Sequence, residues 1–459
     1  MSKWTVIGLL LLLLAGVAGA SDTNANTSTN TITWHRDTDR VDANVRGMAL
    51  WPLLEQIARG AGWHIFVEPN IARPASAKFK NLPSGEALKR LLGDLNYALV
   101  PQSNAVPHLY VFRTTQKNAT QRVYAPPGPP RRVPNELLVR LKPGAKIEDI
   151  AKALGAKITG RNDKLNLYRL LFDNAEDTDA ALGKLKSNSD VAEVDYNYYF
   201  DPPPAPQLMA NDNAPQPPVA LTLDPPNQND PCNVVVGMID TPLQSLGATL
   251  DPFLLKSISV AGDPCTNSAG PTHATGMAQT ILRAVSQAGG GSTSARILPV
   301  DVYGCGEATT SWNVAMGIQA AVDKGANVLN LSLGSSGDSA VLDSIVKQAV
   351  ADGILVFAAA GNQPGTAATY PAADPGVIAV TALQQPGQIA PYANSGSFVD
   401  LALPGASVIY LNGQAYMMQG TSVSTAYATG VATGTKTSTC AGWPQIQGAL
   451  QQKFPVPSQ

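Results

Sequence analysis

The C-terminal half of the chain alternates short, almost wholly apolar segments with longer amphipathic ones. The apolar segments include "VVVGMID", "VLNLSLG" and "ILVFAAAGN", and the amphipathic ones include "VAMGIQAAVDKG" and "AVLDSIVKQAVADG". Strands that are apolar on both sides are typical of a parallel sheet covered by helices on both faces. The pattern therefore predicts an α/β domain over residues 231–455, with functional residues at the carboxyl ends of its strands.

Two proline-rich linkers, 115–135 and 201–230, divide the rest of the chain. Residues 32–114 contain two amphipathic helix patterns, "MALWPLLEQIARG" and "SGEALKRLLGDL", each followed by apolar strand patterns. Residues 136–200 follow the order strand–helix–strand–strand–helix–strand, which is that of a ferredoxin-like sandwich. The sequence thus predicts two small α+β domains, a βαβ-type module and a ferredoxin-like unit, ahead of the α/β domain.

The first residues of the chain predict export. A lysine precedes the apolar run of "MSKWTVIGLLLLLLAGVAGAS", and Ala18-Gly19-Ala20 ends that run with the small residues typical of a signal-peptide cleavage site. The alternative, a membrane anchor, is disfavoured because the run is shorter than the ~20 residues that a spanning helix needs. We therefore expect residues 1–20 to be a signal peptide and the protein to be secreted or periplasmic.

The net charge indicates which kinds of partner are disfavoured, and the cysteine content indicates how many disulfides can form. The formal net charge is −2, which argues against a nucleic-acid partner. An even number of cysteines in an exported chain suggests up to two disulfides. Three pairings remain open, as does the alternative of buried free thiols, for the four cysteines Cys232, Cys265, Cys305 and Cys440.

Four polar residues stand where an α/β domain carries its functional groups. Asp240 ends the strand pattern "VVVGMID", and Asn362 ends "VFAAAGN". His273 opens a helix pattern after "GPT", and Ser422 opens another in "GTSVSTA". Each alone has an ordinary explanation, such as a strand-end turn, a structural histidine or a packed serine. Together they supply an acid, a base, a nucleophile and an oxyanion donor.

Other kinds of hydrolytic site fit this chain less well. His273 is the only one of the four histidines in the C-terminal half, whereas catalytic zinc sites usually take two or three histidine ligands. The sequence contains no "HExxH" motif and no "GxSxG" elbow around Ser422. A metal hydrolase and an elbow-type hydrolase are therefore both disfavoured.

Residues 233–450 resemble a subtilisin-type (S8) serine peptidase, through the motifs "GMIDT", "THATGMA", "AAAGN" and "GTSVSTA" in the order of that family. The resemblance implies a subtilisin-like parallel sheet with helices on both faces. It implies that Asp240 orients His273, which acts as general base and acid. It also implies that Ser422 attacks the substrate and that Asn362 helps to hold the oxyanion.

The segment "NLSLG" resembles the strand with which this family pairs the substrate backbone. The resemblance implies no cofactor and no catalytic metal; structural calcium is common in the family, but no dense Asp/Asn loop indicates a site for it here. It implies that a peptide or protein substrate binds along four residues that follow two strands, Ser332, Leu333, Gly334 and Gly361.

The upstream regions also resemble known modules. Residues 136–200 resemble the inhibitory propeptide of the same family, which implies an intramolecular inhibitor. Residues 32–114 resemble the short N-terminal module of secretins and TonB-dependent receptors, which implies an unknown protein partner. Two positions depart from the family pattern, Ala274 in place of Gly and Ala426 in place of Pro. Neither removes a catalytic group, and a catalytically silent peptide-binding protein is the alternative hypothesis.

Overall fold

The structure is a computed structural model that forms two compact units, residues 1–125 and 126–459. It describes residues 30–68, 71, 73–102, 105–119, 121–123, 129–209, 223, 232–265, 270–291, 293–306 and 308–457. The predicted signal peptide and most of the second predicted linker lie outside the described residues. Within the described part of the chain, no helix is long and apolar enough to cross a membrane.

The first unit contains two sheets, of order β1-β2-β4 and β5-β6-β3-β7, with two helices. Helix α1 buries Leu53, Leu54 and Ile57 and ends at Gly62, whose φ of 75° suits glycine. The elements are β1 (Thr31–His35), β2 (Arg40–Ala49), α1 (Leu50–Ala61), β3 (His64–Val67), β4 (Pro74–Pro83), α2 (Ser84–Leu92), β5 (Asn96–Gln102), β6 (Ala105–Phe112) and β7 (Gln121–Val123).

This unit contains more strands than the βαβ-type prediction allowed. Strands β1, β2 and β4 form a sheet of their own, and β7 pairs with β3 inside the segment predicted as the linker 115–135. The buried positions of β2 include Val41, Ala43 and Val45, which alternate with polar residues. The strand also contains charged and small residues, so its apolar alternation is too weak to predict a strand from the sequence. The simple βαβ description is therefore corrected to two sheets with two helices.

The second unit begins with the predicted ferredoxin-like arrangement. Its four long strands are all antiparallel and lie in the order β11-β8-β10-β9, with both connecting helices on one face. Strand β8 starts inside the segment predicted as a linker. The elements are β8 (Arg132–Leu141), α3 (Ile147–Leu154), β9 (Lys157–Asn162), β10 (Leu167–Leu171), α4 (Ala175–Lys186) and β11 (Val191–Phe200). We call residues 132–200 the prodomain-like unit.

The α/β prediction for the rest of the chain is confirmed. The main sheet has the order β14-β15-β13-β17-β18-β19-β20, with β21 beside β19, and every pair is parallel except β19–β20. Its strands are β13 (Val235–Asp240), β14 (Ile258–Ser259), β15 (Arg296–Asp301), β17 (Val328–Leu331), β18 (Leu355–Ala359), β19 (Ile378–Gln385), β20 (Gln388–Ile389) and β21 (Leu401–Pro404).

Helices cover both faces of this sheet. One core contains α5, α8 and α9, and the other contains α6 and α7. The helices are α5 (His273–Gly289), α6 (Ser311–Asp323), α7 (Ala340–Ala351), α8 (Thr421–Thr439) and α9 (Trp443–Lys453). Four further strands lie outside the main sheet: β12 (Gln207–Leu208) joins the hairpin of β22 (Ala406–Leu411) and β23 (Gln414–Gln419), and β16 (Thr309–Thr310) pairs with β11.

Helices α5 and α8 pack almost backbone to backbone. A Cβ atom at Gly430 would lie 2.5 Å from the carbonyl oxygen of Ile281, and one at Gly434 would lie 2.6 Å from that of Val285. Real Cβ atoms do not approach other atoms so closely, so any larger residue there would push the helices apart. The small residues of α8 are therefore explained by this packing.

Two disulfides settle the open pairing, and the free-thiol alternative is wrong. Cys232 pairs with Cys440 and Cys265 with Cys305, with Cα–Cα distances of 5.2 and 5.0 Å. The first ties the segment before β13 to the end of α8 across 208 residues of sequence. A bond that closes so long a loop restricts the unfolded chain and typically stabilises a fold by ~2–4 kcal/mol.

A buried carboxyl group makes the stability of this unit depend on pH. Asp374, in the loop before β19, is 5% exposed. Burial, and then the charges of Asp343 and Asp338, raise its pKa to about 7. Because folding favours the protonated form, the stabilisation is fully present below pH ~4 and is lost as the pH rises through 7, by up to about 4 kcal/mol.

We expect Asp374→Asn to remove this dependence. In a Ser422→Ala background, which removes the nucleophile that the family resemblance implies, the variant should unfold at a higher temperature than its parent at pH 8. The difference should shrink towards pH 5. Calorimetric scans across this range measure both effects, and identical pH profiles for the two proteins would contradict the assignment.

Candidate active site

A buried hydrogen-bonded pair of side chains joins β13 of the main sheet to helix α5. Asp240 is the last residue of β13 and His273 is the first residue of α5; they are 1% and 3% exposed. The imidazole Nδ1 lies 2.8 and 2.9 Å from the two carboxylate oxygens of Asp240. The backbone N–H of Thr241 donates to Asp240 Oδ1 at 2.7 Å. With a proton on Nδ1 shared with the carboxylate, Nε2 is the nitrogen left to accept one.

Local hydrogen bonds fix the start of α5. The hydroxyl of Thr272 caps the helix by accepting from the N–H of Thr275 at 3.2 Å. The N–H of Ala274, one of the two departures from the family pattern, donates to Thr241 Oγ1 at 3.0 Å, and its methyl group is fully buried. Ala426, the other departure, is also fully buried in an uninterrupted α8. Both alanines are therefore accommodated without a break in either helix.

Ser422 is the second residue of α8 and is 6% exposed. Its hydroxyl donates to the carbonyl oxygen of Ser332 at 3.0 Å, and the hydroxyl of Ser332 donates to the Ser422 carbonyl at 3.2 Å. Asn330 donates to Ser332 Oγ at 2.9 Å and accepts from Thr429 Oγ1 at 2.9 Å. This buried chain of polar groups ties α8 to β17 directly beneath the serine.

Sequence reasoning did not identify Asn330 or Thr429. The sequence signal for Asn330 is a polar residue within the otherwise apolar strand pattern "VLNL". The signal for Thr429 is a polar residue in the middle of a buried helix. A buried polar side chain needs a hydrogen-bond partner, so such a position indicates a polar contact without saying with which residue.

The side-chain amide of Asn362 is held in one orientation. Its Oδ1 accepts from the N–H and the hydroxyl of Thr421, at 2.8 and 3.2 Å. The Thr421 hydroxyl also accepts from the N–H of Gly361 at 3.1 Å. Gly361 has a φ of 105°, and a Cβ there would lie 2.9 Å from Thr369 Oγ1, so only glycine fits. Since Oδ1 is engaged by Thr421, the Nδ2 donors of the exposed Asn362 are the groups available to a ligand.

All eight sequence-predicted site residues lie at the carboxyl edge of the sheet. One cavity is lined by Asn362 and Ser422 together with Ser332, Leu333, Gly334 and Gly361. An adjoining cavity shares Asn362 and Ser422 and adds His273, behind which Asp240 is bonded. A Cβ at Gly334 would lie 2.6 Å from Thr369 Cγ2, so glycine keeps the first cavity open. The two cavities form one cleft across Ser422.

The chain itself lies in this cleft. Pro202, Pro203 and Pro204 line the first cavity, and Pro204, Ala205 and Gln207 line the second. The sequence predicts only that this proline-rich stretch is an extended linker. It carries no signal for where the linker lies, because that is set by contacts made far away in the chain.

One further buried group stands beside the pair of Asp240 and His273. Tyr303 is 4% exposed, and its hydroxyl donates to the carbonyl oxygen of Asp201 at 3.2 Å. Burial, and then the negative charge of Asp240, raise the pKa of Tyr303 well above its ordinary value. The phenol therefore stays a neutral donor. Among the described residues, no three His, Cys, Asp or Glu side chains are grouped closely enough to hold a metal ion.

Comparisons with known proteins agree with this arrangement. Residues 232–453 match the model of the subtilase family (Peptidase S8), and residues 118–197 match that of the fervidolysin N-terminal prodomain. M-protease of Shouchella clausii (strain KSM-K16) is 34% identical over 177 residues, 38% of this chain and 46% of that protein. The thermophilic serine proteinase of Bacillus sp. (strain AK1) is 28% identical over 318 residues, 65% and 77% of the two chains.

The fold comparison extends over most of the chain. The crystal structure of fervidolysin from Fervidobacterium pennivorans, described as a keratinolytic enzyme related to subtilisin, superposes with a TM-score of 0.54 and 17% identity. The match covers 72% of this chain and 62% of fervidolysin. At this identity the likeness establishes the fold. The chain spans less than half of M-protease and about three quarters of the Bacillus proteinase.

The geometry of Asn362 yields a prediction with a matched control. Asn362→Ala should lower peptide turnover by ~10²–10³, the usual effect of losing one oxyanion donor. Asn362→Asp keeps an oxygen that can accept from Thr421 but replaces the Nδ2 donor with a second acceptor. We expect it to be at least as impaired as the alanine variant in measurements of kcat. Near-normal turnover of Asn362→Asp would mean that Asn362 acts only by positioning Thr421.

Proposed function

We propose that this protein is a serine endopeptidase that cuts peptide bonds through Asp240, His273 and Ser422, since residues 232–453 match the model of the subtilase family. The observation that carries the proposal is the buried bond between Asp240 and His273 beside a cleft that Ser422 also lines. A base, its orienting acid and a hydroxyl at a helix start are the parts that acyl transfer requires.

The chemistry follows from these groups. The Ser422 hydroxyl turns from the Ser332 carbonyl to His273 Nε2, which takes its proton as Oγ attacks the substrate carbonyl. Asp240 stabilises the imidazolium that results. The Asn362 Nδ2 and the Ser422 N–H donate to the oxyanion, which also lies at the positive end of the α8 dipole. His273 then gives its proton to the leaving amine, and water releases the acyl group from Ser422 by the same steps in reverse.

The substrate is proposed to be an extended polypeptide. Ser332, Leu333 and Gly334 follow β17 at the rim of the first cavity and present backbone groups along it. A peptide that adds there as a strand gains backbone hydrogen bonds irrespective of its sequence, and pockets select among its side chains. Structural calcium remains an expectation from the family resemblance alone.

The prodomain-like unit is proposed to inhibit the peptidase in the same chain. Residues of β11 satisfy backbone donors at the starts of two peptidase helices: Asp195 accepts from the N–H of Ala340 at 3.1 Å, and Asn197 from that of Trp312 at 3.1 Å. Helix starts carry unpaired N–H groups and a partial positive charge, so these contacts are favourable. Phe200, at the end of β11, is fully buried in the peptidase core.

We propose that the protein acts outside the cytoplasm. Two disulfides support this location, because such bonds persist in oxidising compartments. The signal-peptide prediction points the same way, although those residues lie outside the described part of the chain. For residues 32–114 the proposal remains contact with an unknown protein partner.

Replacing the nucleophile tests the activity. A fluorophosphonate probe should label the mature wild-type protein and not Ser422→Ala, and the substitution should lower turnover by several orders of magnitude because the triad acts as a unit. Casein digestion measures the same loss. The alternative hypothesis, a silent peptide-binding protein, predicts no digestion by either protein and equal peptide affinity in both. Equal labelling of the two proteins would refute the role of Ser422.

Latency provides a second test. We expect full-length Ser422→Ala protein to keep residues 136–230, whereas wild type loses them after folding, as mass spectrometry of the purified proteins would show. Isolated 136–200 added to mature enzyme should inhibit casein digestion. A version with Asp195→Ala and Asn197→Ala should inhibit more weakly, and one with Lys184→Ala, an exposed position on α4, should inhibit normally. Full activity of wild type with the segment intact would show that 136–200 is an accessory domain.

A further inference from the structure

Two of the four histidines in the chain lie beside each other on one sheet of the first unit. His64 on β3 is opposite His108 on β6 in parallel register. Their neighbours Ile65 and Leu109 are fully buried in the core of the unit. Because successive side chains of a strand point to opposite faces, both imidazoles lie on the face of the sheet away from that core. Both are half-buried there.

The distance between the two imidazoles fits a metal ion bound by both. His64 Nδ1 lies 3.4 Å from His108 Nε2. Zinc binds imidazole nitrogen at ~2.0–2.1 Å, so two ligands of a tetrahedral site lie about 3.3–3.4 Å apart. The alternative is a hydrogen bond between the rings, and 3.4 Å is longer than the roughly 2.7–3.2 Å of an ordinary one. The two nitrogens are therefore spaced as one edge of a tetrahedral metal site.

The second nitrogen of His108 also has a suitable neighbour. His108 Nδ1 lies 3.4 Å from the hydroxyl oxygen of Tyr110, within reach of a long hydrogen bond. The phenol oxygen can accept from an imidazole N–H. With its proton on Nδ1, His108 presents the lone pair of Nε2 towards His64. Metal-binding histidines usually donate their second N–H in this way, which fixes the tautomer and makes the ligating nitrogen more basic.

Aromatic rings pack beside the histidine pair. Phe66 is opposite Tyr110 in the same register, and the two rings stack with their centroids 5.2 Å apart. The centroid of the Phe66 ring also lies 5.3 Å from that of His108. Packing of this kind restricts the rotation of the imidazole, so less side-chain entropy is lost when it binds an ion.

We propose that His64 and His108 together bind a divalent transition-metal ion such as Zn²⁺. Imidazole nitrogens suit zinc, copper and nickel, whereas magnesium and calcium prefer oxygen ligands. Among the described residues no third His, Cys, Asp or Glu side chain completes the set. Two positions of a tetrahedral site are therefore left for water or for donor groups of another molecule. The site is independent of the peptidase chemistry, since none of the proposed triad takes part in it.

Zinc titration of the full-length protein tests the proposal. The parent is the Ser422→Ala protein, which lacks the proposed nucleophile, and Zn²⁺ alone is added in a calorimeter that measures its affinity. His64→Ala and His108→Ala should each weaken binding by roughly ten-fold or more. Each removes one of the two protein ligands, and the loss of even an outer hydrogen-bond partner usually weakens metal binding by ~10- to 100-fold.

His35→Ala is the matched control. His35 belongs to the same unit and is exposed, and its Nε2 lies 3.4 Å from Asp42 Oδ2. We expect this variant to bind Zn²⁺ like its parent. An absence of saturable binding by the parent would overturn the proposal. Equal affinities for the parent and all three variants, or an equal loss in His35→Ala, would overturn it as well.

Histidine-selective NMR tests the same site without any substitution in the pair. The Ser422→Ala protein with isotope-labelled imidazoles should give one signal for each of its four histidines. His35→Ala and His273→Ala identify the two signals that belong to other residues. Zn²⁺ should shift the remaining two signals together, with saturation at one ion per chain. If either of those two signals keeps its position, the ion is not shared by His64 and His108 and the proposal is wrong.

Discussion

The close approach of α5 and α8 is the constraint on which the site depends. His273 is the first residue of one helix and Ser422 the second residue of the other, so the spacing of the helices sets the spacing of the proposed base and the proposed nucleophile. Glycines at 430 and 434 allow backbone to meet backbone there. Catalytic groups must be placed to within about 0.5 Å, a tolerance smaller than the shift that one added methyl group would cause. The small residues of α8 therefore serve geometry more than helix stability, since glycine weakens a helix by ~1 kcal/mol relative to alanine.

The parts of this site that the sequence predicts are those fixed by topology. Parallel strands end at one edge of a sheet, so Asp240 and Asn362, each near a strand end, are expected to lie near each other. The hydrogen bonds beneath Ser422 could not be predicted in this way. Asn330 and Thr429 are 99 residues apart, and neither helical nor strand periodicity links them. Their pairing follows from the packing of α8 on β17, which only the folded structure specifies.

The regions before the α/β domain also contain some elements that sequence patterns predict and others that depend on contacts in the folded chain. The two helices of the first unit are predictable because each buries a leucine-rich face against the sheets, as α1 does with Leu53 and Leu54. Strands β2 and β4 carry short, polar-interrupted patterns, and they are strands because they pair with each other. The proline-rich segment 202–209, which we call the strap, is a more extreme case. A run of prolines predicts an extended chain, but its position depends on β11 at one end and β23 at the other.

That dependence on two anchors has a physical consequence for latency. Prolines stiffen the strap and lower the entropy lost when it is held extended, but they also remove the donors that would bind it along the cleft. The strap therefore stays over Ser422 mainly because both of its ends are fixed. Each anchor keeps the other at a high effective concentration, so the loss of one weakens the hold of both. Binding of this kind can block a catalytic cleft while presenting it with few of the backbone contacts that position a substrate for attack.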